Sequence, residues 1–88
     1  MGQALLLYTT VGCHLCEQAE DVLQAALAGE PDRRWSAVEI SDDPALVAAY
    51  GLRIPVIRVQ GQDADLGWPF DEAAVRNYLA QVKSTHRD

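Results

Sequence analysis

Two cysteines stand three positions apart in Cys13-His14-Leu15-Cys16, and the chain has no others. A thiolate attacks a disulfide sulfur, and a second thiol close by then displaces the released partner. The chemistry this spacing suits is dithiol–disulfide exchange. A bridge across so short a loop adds little stability through chain entropy. Small secreted domains stapled by disulfides usually carry four or more cysteines. The pair is therefore better explained by chemistry than by scaffolding. A zinc site usually needs four ligands, and only His14 and His86 remain as imidazole donors, so no metal is expected.

The neighbouring sequence supplies elements that would place this pair. Ala4-Leu5-Leu6-Leu7-Tyr8 is a short continuous apolar run, as in a strand buried on both faces. Leu15, Ala19, Val22, Leu23, Ala26 and Leu27 recur at helical spacing, with Gly29 and Pro31 as the stop. The cysteines thus sit where a buried strand hands over to a helix. A helix start offers free N–H donors and the positive end of its dipole. Cys13 is the expected nucleophile, and the dipole alone lowers its pKa by roughly 0.2–1.5 units. A thiolate–imidazolium pair with His14 would lower it further, whereas Glu17, Glu20 and Asp21 oppose it. The expected pKa is roughly 5.5–7.5. Cys16, one turn later, faces the same side and is expected to be more buried and to resolve the mixed disulfide.

Further along, Trp35 to Ile40 reads as a second strand with Val38 and Ile40 on one face. Asp43-Pro44 starts a short helix that runs from Ala45 to Tyr50 and closes at Gly51. Pro55 to Val59 reads as a third strand, Gln60-Gly61-Gln62 as a turn, and Asp63 to Leu66 as a charged edge strand. Asp71 to Val82 carries Ala74, Val75, Tyr78, Leu79 and Val82, an amphipathic last helix. The order β-α-β-α-β-β-α predicts an α/β fold. Its first two strands are parallel across a crossover, in a four-stranded mixed sheet with helices on both faces.

The chain has 88 residues, enough for one domain, expected over 1–83 with a flexible tail at 84–88. Net charge is −6, which disfavours nucleic acid and anionic membrane surfaces as partners. No apolar run approaches the roughly 20 residues of a membrane span. Met1-Gly2-Gln3 carries no basic run and Ala4 to Tyr8 is too short for a secretory h-region, so no signal peptide is expected. A monomeric cytoplasmic protein is expected.

This order, with Cys-x-x-Cys between the first strand and helix, resembles the thioredoxin fold. Arg53-Ile54-Pro55-Val56 and Gly67-Trp68-Pro69-Phe70-Asp71 strengthen the resemblance, and the compact chain is most similar to its glutaredoxin-like branch. The resemblance implies a thiol–disulfide oxidoreductase acting on disulfide-containing or glutathionylated proteins. No tightly bound cofactor is implied, and glutathione is the candidate co-substrate. It implies a cis Pro55 in a loop opposite the cysteines, with the Ile54 backbone pairing with an incoming chain. Arg53 would meet a carboxylate of glutathione or of a partner. The start of the last helix, with Gly67 and Asp71, would receive the γ-glutamyl end. Trp68 would plug that groove, anchor a protein partner, or simply pack in the core. Thr10, His14-Leu15 and Gly67-Trp68 replace the Lys, Pro-Tyr and Gly-Gly usual in glutaredoxins. Two other functions are compatible with the same fold: a non-catalytic protein adaptor, and a carrier of an iron–sulfur cluster bridged between subunits with glutathione.

Overall fold

Burial on both faces makes Leu5-Leu6-Leu7-Tyr8 the axis of the fold. The computed structural model describes residues 5–29 and 34–86. The elements are β1 (Leu5–Thr9), α1 (His14–Ala26), β2 (Trp35–Glu39), α2 (Pro44–Tyr50), β3 (Val56–Val59), β4 (Asp65–Gly67) and α3 (Glu72–His86). The sheet order is β2-β1-β3-β4. β1 is parallel to β2 and antiparallel to β3, and β3 and β4 form an antiparallel hairpin.

Side chains alternate across the sheet. Leu5 and Leu7 of β1, with Ile57 and Val59 of β3, face α1 and α3. There they meet Ala19, Leu23, Val75, Tyr78 and Leu79 in the larger core. Tyr8 and Leu6, with Val56, Val38 and Ile40, face α2 and meet Leu46, Tyr50 and Ile54 in a smaller cluster. The mixed sheet with helices on both faces follows from this two-sided burial. It is a thioredoxin-like α/β fold.

Most boundaries differ from expectation by a residue or two. α1 begins at His14 because Cys13 is its N-cap, in extended conformation. α2 has Asp43 as N-cap, accepting the Ala45 N–H at 2.9 Å, and Pro44 in its first turn. Gly51 ends it with right-handed φ −53°, so left-handed freedom is not what the position needs. What it needs is room, because a Cβ there would lie 2.5 Å from the Val47 carbonyl oxygen. β4 starts at Asp65 rather than Asp63, since the turn after β3 is closed by Gln62 N–H donating to Val59 O at 3.0 Å, with Gly61 at φ +89°. α3 continues to His86, beyond the expected end at Val82. The expected strand start at Ala4, the stop at Pro31 and the tail end at Arg87 and Asp88 lie outside the described residues.

Buried Tyr78 ties the hairpin to α3. Its hydroxyl accepts the Val59 N–H at 2.9 Å and donates to the Ala64 carbonyl at 2.7 Å. Tyr78→Phe strands both backbone groups. Water can reach exposed Ala64 but not the Val59 amide. The variant should lose about 1–3 kcal/mol of stability in urea unfolding, with its folded circular dichroism unchanged.

Candidate active site

The site lies where the C-terminal end of β1 meets the N-terminal end of β3. Parallel pairing sends the chain out of β1 and out of β2 at the same end of the sheet. Antiparallel pairing brings the chain into β3 there too, with Tyr8 opposite Val56. Loops 10–13, 40–43 and 51–55 therefore share one end.

The first loop carries the pair. Gly12, at φ +80°, takes a left-handed turn that side chains disfavour. The Cys13 N–H donates to the Thr10 carbonyl at 3.3 Å. Cys13 then caps α1, its Sγ accepting the Cys16 N–H at 3.1 Å. The two cysteines are joined as a disulfide with Cα atoms 5.2 Å apart. Their surroundings differ. Cys13 is half-buried at the helix mouth, whereas Cys16 is 3% exposed. The Cys16 N–H would equally stabilise a Cys13 thiolate after reduction. His14 is exposed in the first turn.

The third loop lies beside it. Ile54–Pro55 is cis, as the resemblance implied, and Pro55 is buried. Trp68–Pro69 is a second cis bond, which the sequence did not suggest. The Trp68 N–H donates to the Pro55 carbonyl at 3.0 Å, tying the loop to β4. Of the Ile54 backbone, expected to pair with a partner, the N–H donates to the Tyr50 carbonyl at 3.0 Å. Arg53 points its fork at Asp65, with contacts of 2.6 and 3.2 Å, and its guanidinium lies over the Tyr50 ring at 5.8 Å. Gly67 lies beside that fork, where a Cβ would come within 3.6 Å of Arg53 Nη2. Trp68 packs against the larger core and edge-on to Phe70, with ring centroids 5.0 Å apart. Asp71 caps α3, accepting the Ala74 N–H at 2.8 Å.

The sequence model of the glutaredoxin-like domain (DUF836) matches residues 4–80. The chain belongs to this family. It is 43% identical to the crystal structure of target protein XcR50 from X. campestris, over 88% of this chain and 96% of that one, with a TM-score of 0.72. Protein Ne2328 from Nitrosomonas europaea, solved in solution, is 23% identical over 89% and 92% of the chains, with a TM-score of 0.75. Thioredoxin 1 from Thermosipho africanus TCF52B shares the fold at 11% identity, covering 97% and 99%, with a TM-score of 0.64. No curated protein matches. No helix among the described residues is long and apolar enough to cross a membrane.

Two supports of this glutaredoxin-like site escaped the sequence. One is a stack of Tyr8 on Tyr50, centroids 4.2 Å apart, with Arg58 Nε and Nη2 on the Tyr8 hydroxyl at 3.2 and 2.9 Å. Burial, then the neighbouring Tyr8, raises the Tyr50 pKa, which keeps that phenol neutral. The stack joins β1 to the residue whose carbonyl holds Arg53 and Ile54. The available signal was Arg58 itself, a charge inside an otherwise apolar strand.

The other support is Glu39, at the end of β2. Its Oε2 accepts from the Thr10 hydroxyl at 2.8 Å and from the Ser41 N–H at 3.0 Å. The carboxylate thus clips the cysteine loop to the neighbouring loop. Hydrogen bonds from the Ser41 hydroxyl and N–H, then from Thr10, lower the Glu39 pKa below its ordinary 4.5. Because folding lowers it, the clip stabilises the fold at neutral pH, and that contribution is lost as pH falls below about 4.5 through the folded value. Glu39→Gln should therefore flatten this part of the acid limb when unfolding is measured between pH 6 and pH 3. An acid limb as steep as the parent's would show that the clip contributes nothing.

Proposed function

We propose that this chain is a glutaredoxin-like thiol–disulfide oxidoreductase working through Cys13 and Cys16. The observation that carries this reading is the asymmetry of the pair: a half-buried cysteine at the helix cap, its Sγ accepting the Cys16 N–H, next to a fully buried one. A nucleophile must be reached by substrate, and a resolving thiol needs only to reach its neighbour.

In the reducing direction, the Cys13 thiolate attacks one sulfur of a partner disulfide. That bond breaks and the departing partner thiolate takes up a proton. Cys16 loses its proton and attacks Cys13 Sγ, which frees the second partner thiol and closes the Cys13–Cys16 disulfide. Two electrons pass to the partner, with one proton from Cys16 and the other from solvent. An external thiol, from glutathione or a reductase, then returns the pair to the dithiol. The cis-Pro55 loop flanks the incoming segment, and with the Ile54 N–H engaged by Tyr50, its carbonyl is the backbone group offered to that segment. The expected setting is a cytoplasmic monomer.

Three outcomes test this reading. Cys13→Ser should abolish reduction of hydroxyethyl disulfide by the reduced protein. Cys16→Ser should accumulate a mixed disulfide on Cys13, visible by mass spectrometry. Alkylation of reduced Cys13 should titrate with a midpoint of roughly 5.5–7.5. A midpoint above 8, or full turnover by the Cys13 variant, would overturn it.

A further inference from the structure

The end of the sheet that holds the disulfide has an unusual surface. Among the described residues, four large apolar side chains are exposed, and three of them belong to this end: Val11 at 88%, Leu15 at 45% and Leu52 at 104%. Val11 precedes the pair, Leu15 lies between the cysteines, and Leu52 sits on the cis-Pro55 loop. Single exposed apolar residues need no explanation. Two on the loops that meet at this end and one between the cysteines offer apolar area to another apolar surface.

The charges at this end point one way. Exposed Glu17, Asp42 and Asp43 lie in the first turn of α1 and in the loop after β2. Against them, loops 10–13, 40–43 and 51–55 and that first turn contain two basic residues, His14 and Arg53. The Arg53 fork closes on Asp65. The nearby Arg58 spends its guanidinium on the Tyr8 hydroxyl and the Gln62 carbonyl. Glutathione, with two carboxylates and one ammonium, would meet as cations in these loops and that first turn only His14 and an Arg53 already paired with Asp65.

Building on the dithiol exchange proposed above, we infer that the substrate is a polypeptide segment whose cysteine is flanked by apolar side chains and by Lys or Arg, and that glutathione disulfide is disfavoured. The apolar flanks cover Val11, Leu15 and Leu52. The basic residues meet Glu17, Asp42 and Asp43. Charge of this kind acts mainly on the association rate and fades with salt.

The test uses the reduced full chain and four disulfides. Two are peptide disulfides with the same apolar flanks, one carrying Lys and one Glu. The others are glutathione disulfide and neutral hydroxyethyl disulfide. Each rate is divided by that of dithiothreitol on the same compound, which removes the compound's own reactivity. At low salt the Lys peptide should lead the Glu peptide and glutathione disulfide by about 10-fold or more. The lead should shrink in 0.5 M salt, a concentration at which the Debye length falls to about 4 Å. Leu52→Ser should lower the ratio of Lys-peptide rate to hydroxyethyl disulfide rate several-fold. Equal normalised rates for the two peptides, or a faster rate with glutathione disulfide, would overturn the inference while leaving dithiol exchange intact. Failure with all four compounds, hydroxyethyl disulfide included, would instead remove the redox function itself.

Discussion

The molecule is organised by the two-sided burial of β1. A strand that must hide Leu5 and Leu7 on one face and Leu6 and Tyr8 on the other needs a layer of helix on each side. It also needs a neighbour on each edge, which β2 and β3 supply. Everything at the site is then placed by strand direction. The chain leaves β1 at the end where it leaves β2 and enters β3, so the cysteine loop, the Asp42-Asp43 loop and the cis-Pro55 loop are brought together by pairing alone. None of these loops has a large core of its own. Their order comes from single polar ties back to the sheet: Glu39 to Thr10, Tyr50 to Ile54, and Trp68 to Pro55.

The parts of the structure readable in the sequence are those written in local periodicity. The apolar run of β1, the helical spacing from Leu15 to Leu27 and the Asp43-Pro44 start of α2 each draw on neighbours in the chain. The cysteine site was legible because both members and their helix cap lie within four residues. The ties that position it were not. Glu39 and Thr10 are 29 residues apart, and Tyr8 and Arg58 are 50 apart. Their partnership depends on strand order, which periodicity does not specify. Arg53 shows the difference plainly. Its position in Arg53-Ile54-Pro55 marks a loop that borders the site, but its partner Asp65 becomes visible only once β4 is laid against β3.

Around the pair, attraction and repulsion for a thiolate are set by different parts of the chain. The favourable terms are backbone: the open end of α1 and the Cys16 N–H on Cys13 Sγ. The unfavourable ones are side chains: Glu17 in the first turn, and Glu39 clipped to the same loop through Thr10. Backbone donors are fixed by the helix and cost nothing to orient, so they act at full strength at the sulfur. Carboxylates facing solvent are screened and act weakly there. The same carboxylates are better placed to act on an approaching polymer, whose charges lie farther out and number more than one.

The relatives sharpen what this arrangement does and does not inherit. A thioredoxin 11% identical to this chain keeps the strand order and the overall shape, so the fold itself tolerates almost complete replacement of side chains. Fold alone therefore does not choose a substrate. The choice rests with groups at the shared end of the sheet. Here the Arg53 fork, which the resemblance would offer to a carboxylate, is already paired with Asp65. Breaking a forked ion pair to admit another carboxylate exchanges one such contact for another, with the entropic cost of binding added. An apolar segment meets no such competition, because Val11, Leu15 and Leu52 give up only water. The preference proposed for polypeptide segments follows from which contacts are already made.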